Sequence, residues 1–245
     1  MKLNCDLGES FGAWAMGRDA EVMPFIDQAN IACGFHAGDP VVLNKTLALA
    51  AEHGVAVGAH PAYPDLNGFG RRSIPMSANE LRQLLHYQIS AISGMARVQG
   101  LTVDYVKPHG ALYNDMMKNE SIRTTVMQAV ADYPEPLTLM LQATADHERH
   151  QQEASQYQLP LWFEAFADRA YQANGRLVPR SEADAVLNAE QILSRIDNLV
   201  NNQTVIAVDG TLLRFPVDSV CVHGDNDTAT QLIADIRERI RAHQC

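Results

Sequence analysis

Ionisable side chains recur in this sequence at the ends of short apolar runs. Asp6 follows the run Lys2–Cys5, His36 follows Ala29–Cys33 and His60 follows Val55–Gly58. Lys107 and His109 follow Asp104–Val106, Glu164 follows Leu161–Phe163, and His223 follows Ser219–Val222. Carboxylates can share a proton, bind a metal or position a water, and imidazoles move protons near neutral pH. A lysine ammonium can stabilise negative charge developing on a carbonyl oxygen. One histidine after a strand more often caps a helix or bonds a loop. Six of seven such runs ending in an ionisable group, with only Leu137–Leu141 lacking one, point to a shared site.

The local contexts assign tasks. In Asn4-Cys5-Asp6-Leu7-Gly8-Glu9, Asp6 closes an apolar run and is a catalytic candidate, while Glu9 either binds substrate or is a solvated loop carboxylate. His36 lies just before Asp39-Pro40, which reads as a helix N-cap and first helical residue. His60 opens a long loop, Pro61–Pro75, that carries Gly68-Phe69-Gly70-Arg71-Arg72. This arginine pair either clamps a carboxylate or phosphate through the planar guanidinium fork or stands solvated. In Lys107-Pro108-His109-Gly110-Ala111-Leu112-Tyr113-Asn114, Lys107 suits an oxyanion stabiliser and His109 a proton carrier. Asp168 and Arg169 either reach a substrate or pair with each other. Asp6, His60, Lys107, His109 and Glu164 are therefore the catalytic candidates; Glu9, His36, Arg71, Asp168, Arg169 and His223 are the substrate-binding ones. Asp6, His36 and His60 would suit a divalent metal, though their separation in sequence makes that a weak signal.

These residues need a scaffold that brings strand ends together. The apolar runs alternate with helical periods near Pro40–His53, Ala78–Gln99, Ser121–Asp132, Ala145–Gln156, Asn188–Asn201 and Asp227–Ala242, the pattern of repeated βα units around a parallel sheet. Such a chain is expected to form one α/β barrel domain over residues 1–245, with its active site at the C-terminal ends of the strands. Ser77 and Glu80 form a potential capping box for a helix whose apolar stripe is Leu81, Leu84, Leu85, Ile89 and Ile92. Thr204–Val208 and Thr211–Phe215 flank Asp209-Gly210, a hairpin signal. The loops Pro61–Pro75 and Asp168–Asp184 are long enough to expect function in them.

Composition narrows the classes. A formal net charge of −10 opposes nucleic-acid binding. No apolar stretch approaches the roughly 18 residues of a membrane span, and the N-terminus has no secretory h-region, so a cytoplasmic protein is expected. Cys5, Cys33, Cys221 and Cys245 lack metal-site spacing and read as free thiols. No G-x-x-x-x-G-K-[ST], G-x-S-x-G or H-E-x-x-H occurs, which excludes a P-loop and disfavours a serine hydrolase or zincin.

Taken together, Asn4–Glu9, Cys33–Asp39, Gly58–Pro61 with Gly68–Arg71, Val106–Tyr113, Glu164–Tyr171 and Val222–Asp225 resemble the LamB/YcsF family over essentially the whole chain. The resemblance implies a distorted seven-stranded (β/α) barrel of the glycoside hydrolase/deacetylase type. It also implies a subunit of ATP-dependent 5-oxoprolinase, which cleaves 5-oxo-L-proline to L-glutamate while hydrolysing ATP to ADP and phosphate. Its partners would be 5-oxoprolinase subunits B and C, its substrate a small anionic lactam, and its co-substrate ATP with Mg²⁺; no tightly bound organic cofactor is expected. ATP is chemically intelligible, because phosphorylating the lactam oxygen makes ring opening accessible. Two other readings stay open: a metal-dependent deacetylase or amidohydrolase working without ATP, and a non-catalytic subunit that binds the lactam.

Overall fold

The computed structural model describes residues 1–180, 182–223 and 227–243. Gly224 and Asp225 of the last sequence motif, and the thiol of Cys245, lie outside the described residues. Strands β1 (Lys2–Leu7), β2 (Gln28–Ala32), β3 (Ala56–His60), β4 (Val103–Val106), β5 (Thr138–Gln142) and β6 (Leu161–Phe166) follow one another around a sheet. Strands β7 (Thr204–Ile206) and β8 (Leu212–Arg214) form a separate antiparallel hairpin, and β9 (Ser219–His223) closes the barrel between β6 and β1. Every pairing within the barrel is parallel. All seven expected strands are therefore barrel strands, with ends displaced by at most three residues from the apolar runs. The hairpin turns where expected. Gly210 adopts φ +87°, and the Asp209 carboxylate accepts from the Thr211 N–H at 3.0 Å.

Because strand side chains alternate between faces, each run divides into an outer and an inner set. Leu3, Cys5, Leu7, Ala29, Ile31, Val57, Ala59, Leu139 and Leu141 belong to the hydrophobic cluster. The intervening Asn4, Asp6, Gln28 and Asn30 are polar and equally buried. They bond to one another inside the barrel. Asn4 donates to Ser219 Oγ at 2.7 Å, Asn30 donates to Asn4 Oδ1 and Asp6 Oδ1 at 2.8 Å each, and Ser219 donates to Gln28 Oε1 at 2.8 Å. A barrel interior is more usually filled by branched apolar side chains. Here each of these side chains has a partner, although Gln28 Nε2 is buried without one; the bonds offset most of the desolvation cost and fix the register, since a one-residue slip would invert both faces.

The helices are α1 (Asp19–Val22), α2 (Pro40–His53), α3 (Ala78–Val98), α4 (Gly110–Lys118), α5 (Glu120–Ala131), α6 (His147–Ser155), α7 (Ala189–Asn202), α8 (Asp227–Gln231) and α9 (Ile233–Ala242). Asp39 caps α2, its Oδ1 accepting from Val41 and Val42 N–H. The Ser77–Glu80 capping box is present at α3, whose Leu81, Leu85, Ile89 and Ile92 are buried, with Leu84 half-buried beside them. Several elements differ from the sequence reading, among them α1, which it did not anticipate, and the hairpin strands, which are shorter than the runs it gave. The helix expected over Asp227–Ala242 breaks at Leu232 into α8 and α9, and α4 starts directly after His109, where the sequence signals were chemical rather than periodic.

The barrel is distorted at β3 and β4, where the register shifts between Val57 and Gly58. The Tyr105 ring occupies the space that a side chain at Gly58 would take, so only glycine admits it. Its hydroxyl donates to Asn30 Oδ1 at 2.6 Å.

Candidate active site

The strand ends meet at one cavity of about 490 Å³. Asp6, Glu9, His60, Arg71, Lys107, His109, Arg169 and His223 line it. The remaining candidates lie one contact behind: His36 against Glu9, Glu164 against Lys107, and Asp168 against His223. Parallel strands explain the convergence. All their C-terminal ends face the same way, and β1–β9 register sets Asp6 beside His223.

Lys107 holds the centre. Its Nζ lies 2.8 Å from Asp6 Oδ1, 3.2 Å from Glu164 Oε2 and 3.1 Å from Cys221 Sγ, and all four residues are at most 7% exposed. Burial alone would discharge the ammonium, but Asp6 and Glu164 beside it hold its pKa well above the ordinary lysine value. Burial likewise opposes ionised Asp6, yet the Lys107 ammonium at 2.8 Å helps to keep the carboxyl well below the usual range. Tyr113, on the first turn of α4, donates to Glu164 Oε1 at 2.7 Å. Burial and the Glu164 charge push this phenol up, so it remains a donor.

Beside this cluster stand three histidines. His60 donates from Nδ1 to the Lys107 carbonyl at 2.6 Å, and His109 donates from Nε2 to the Phe69 carbonyl at 2.9 Å. The remaining nitrogens, His60 Nε2 and His109 Nδ1, are 3.0 Å apart. His36 stacks on His109 with ring centroids 3.8 Å apart, and its Nε2 lies 3.3 Å from Glu9 Oε1. Burial pushes His36 and His109 well below the ordinary histidine pKa, helped by the neighbouring rings. Gly70 makes this packing possible, for with φ +64° it sits where a Cβ would come 2.8 Å from both His109 Cδ2 and His36 Cβ.

The other wall is cationic. Arg71, Lys118, Arg169, Arg176 and Arg180 line the cavity of a protein whose overall charge is negative. Asp168 and Arg169 do not pair in the way one reading of the sequence allowed. Asp168 takes the His223 Nδ1–H, with Oδ1 at 2.9 Å, and Arg169 donates to the Val178 carbonyl at 2.6 Å and the Ala185 carbonyl at 3.3 Å. Burial, with Arg180 nearby, pulls Arg169 down to about 10. It thereby ties the long segment after β6 against the pocket. Arg72 turns away to pair with Asp65, while Arg71 faces the cavity. His223 stacks on Phe166 at 5.5 Å.

Sequence reasoning missed Tyr113 and Cys221 as neighbours of the charges, and the polar layer of Asn4, Gln28, Asn30 and Ser219 beneath them. The signal for the layer was available, as Asn4/Asp6 and Gln28/Asn30 each repeat at the two-residue period of a strand. Nothing in the spacing marked Tyr113, whose role depends on α4 starting at Gly110.

Known proteins resemble this chain over most of its length. A Pseudomonas putida protein named as an A-type 5-oxoprolinase component, the second of that name, is 54% identical over 97% of this chain and 93% of its own length. The A-type 5-oxoprolinase component of Pseudomonas fluorescens is also 54% identical, over 97% of this chain and 96% of its own. The crystal structure of a lactam utilization protein from Thermus thermophilus superposes with a TM-score of 0.89 at 36% identity, covering 100% of this chain and 97% of that one. The LamB/YcsF family model matches residues 1–245, and with these full-length relatives and a shared barrel, the chain belongs to the LamB/YcsF family.

Proposed function

We propose that this chain is the lactam-opening subunit of an ATP-dependent 5-oxoprolinase, converting 5-oxo-L-proline and water to L-glutamate. The observation that carries this reading is a buried ammonium, Lys107, held between Asp6 and Glu164 at the floor of a cationic pocket, in a chain related end to end to proteins named for that reaction.

The chemistry follows from the charges. The Lys107 ammonium meets the lactam oxygen as negative charge grows there, and being fixed by two carboxylates it needs no reorganisation to do so. Asp6, kept ionised, orients the attacking water. Water oxygen bonds to the ring carbon and gives up a proton to His223, the carbon–nitrogen bond breaks, and His223 passes that proton to the departing nitrogen. His223 suits that delivery better than His109, because Asp168 fixes its Nδ1 while both nitrogens of His109 are engaged inside the protein. Arg71, Arg169 and Arg180 attract the substrate carboxylate. ATP with Mg²⁺ acts in the assembled complex, with subunits B and C supplying the nucleotide site, since this sequence has no P-loop motif.

Reconstitution tests the reading. The chain with its partner subunits is expected to consume 5-oxoproline and release ADP together, and the chain alone to release little ADP. Absence of lactam loss in the complete complex would overturn the function. Lactam-dependent ADP release by the isolated chain would move the nucleotide chemistry into this chain.

A further inference from the structure

We propose that Glu9, His36, His60 and His109 form a binding site for one divalent transition-metal ion of the zinc class, at the base of the pocket beside Lys107. The facing nitrogens of His60 and His109 carry the argument. A carbonyl oxygen only accepts hydrogen bonds, so the nitrogens aimed at the Lys107 and Phe69 carbonyls, at 2.6 and 2.9 Å, are the ones bearing hydrogen. A neutral imidazole has one N–H. Both inner nitrogens therefore present lone pairs to each other across 3.0 Å, in rings 1% and 6% exposed. That contact is repulsive unless a cation lies between them, either a shared proton or a metal ion.

The surroundings favour the metal. Glu9 Oε1 is 3.6 Å from His109 Nδ1 and 3.3 Å from His36 Nε2, and the four donor atoms all lie within 4.8 Å of one another. A proton satisfies one pair, whereas four electron-pair donors around one point suit an ion. Tetrahedral coordination with bonds of about 2.0–2.1 Å separates donors by about 3.3 Å, and the measured 3.0, 3.3 and 3.6 Å straddle that figure. A backbone carbonyl behind the outer nitrogen is also the usual support of a metal-bound histidine, and His60 and His109 each have one. His36 Nδ1 is buried without a partner, so the ring's polar contact runs toward the cluster. Three imidazoles and one carboxylate match zinc-class ions rather than Mg²⁺ or Ca²⁺. Asp6 Oδ2, 3.4 Å from His60 Nε2, adds negative charge at the edge while its other oxygen stays with Lys107.

Occupancy of this site is independent of the reaction proposed above; only its use in opening the lactam rests on that reading. The full-length chain, stripped of metal by a chelator, is titrated with Co²⁺ and then Zn²⁺. The expected result is one Co²⁺ per chain with visible absorption bands, displaced by Zn²⁺ and accompanied by a higher melting temperature. His60→Ala and Glu9→Gln should each weaken Co²⁺ binding at least about tenfold, the lower bound seen even for supporting residues. His53→Gln, which removes an exposed histidine at the end of α2 outside the donor set, should bind Co²⁺ as wild type does. If His60→Ala does not fold, the near-isosteric Glu9→Gln decides. Wild-type protein that takes up neither ion, with nitrogen-15 NMR showing one proton shared by His60 and His109, overturns the proposal; so does binding unchanged in both variants. A chain that binds Co²⁺ as described but fails to turn over lactam with its partners would sink the reaction and leave the metal site standing.

Discussion

The Lys107 ammonium lies 2.8 Å from the Asp6 carboxylate, joining β1 to β4 across 101 positions of sequence at the floor of the pocket. With Glu164 on its other side, it is a structural counter-ion as well as a candidate catalytic group. Lys107→Met should therefore lower turnover by about 10²–10³ and also destabilise the fold by about 3–5 kcal/mol, as breaking a buried ion pair does. Adding Glu164→Gln should restore part of the stability and none of the turnover. Melting temperature and complex-dependent turnover are measured together; a folded Lys107→Met variant within about threefold of wild-type activity, far less than the loss anticipated, removes Lys107 from the chemistry.

Asp168→Asn tests the proton path. An amide in place of the carboxylate can donate to His223 Nδ1 and so reverse the tautomer while keeping the shape. Turnover should fall about 10²–10⁴-fold with little change in melting temperature. His223→Phe should retain stacking on Phe166 and show the same loss. Should only KM rise in both, the pair binds substrate and does not carry the proton.

The Arg123–Glu153 pair gives a pH prediction away from the pocket. Arg123 donates to both Glu153 oxygens, at 2.6 and 2.8 Å, linking α5 to α6. The Arg123 hydrogen bond holds the Glu153 pKa below its ordinary 4.5 despite burial. A depressed carboxylate pKa contributes stability that is fully present above 4.5 and disappears as pH falls through the folded value. Wild type should exceed Glu153→Gln in denaturation midpoint at neutral pH, and the gap should close on acidification. A gap independent of pH would show that the charge contributes nothing.

Gly58→Ala should place a methyl group against the Tyr105 ring and cost about 1–3 kcal/mol through overpacking. Tyr105→Phe keeps the ring and removes its hydroxyl, leaving Asn30 Oδ1 without its 2.6 Å donor, so the double variant should not recover. Urea denaturation of the three proteins checks this. An unchanged midpoint for Gly58→Ala would mean that the ring moves freely.

The site was largely legible in sequence because a parallel barrel turns strand order into spatial convergence. Asp6, His36, His60, Lys107, Glu164 and His223 could each be found as the first ionisable group after an apolar run, and the structure brings them together. Pairings were not legible. That Asp168 would choose His223 over Arg169, or Arg72 choose Asp65 and leave Arg71 to the pocket, depends on loop paths that local residue types do not set. The start of α4 was hidden for a related reason. Its helical period overlaps the Lys107–Asn114 motif, whose residue types answer to the pocket as well as to the helix.

The pairing of β1 with β9 also governs when the molecule can finish. Asn4 reaches Ser219 across 215 positions, so the ring cannot shut until nearly all of the chain has left the ribosome. Until then, the outer edges of β1 and β6 have no neighbour, and long-range strand pairing of this kind is slow. From the completion of β6 until β9 emerges, a nascent chain carries two open margins that favour association with other chains. Asp6 and His223 reach each other only when those margins meet, so competence for chemistry and protection from aggregation arrive in the same event.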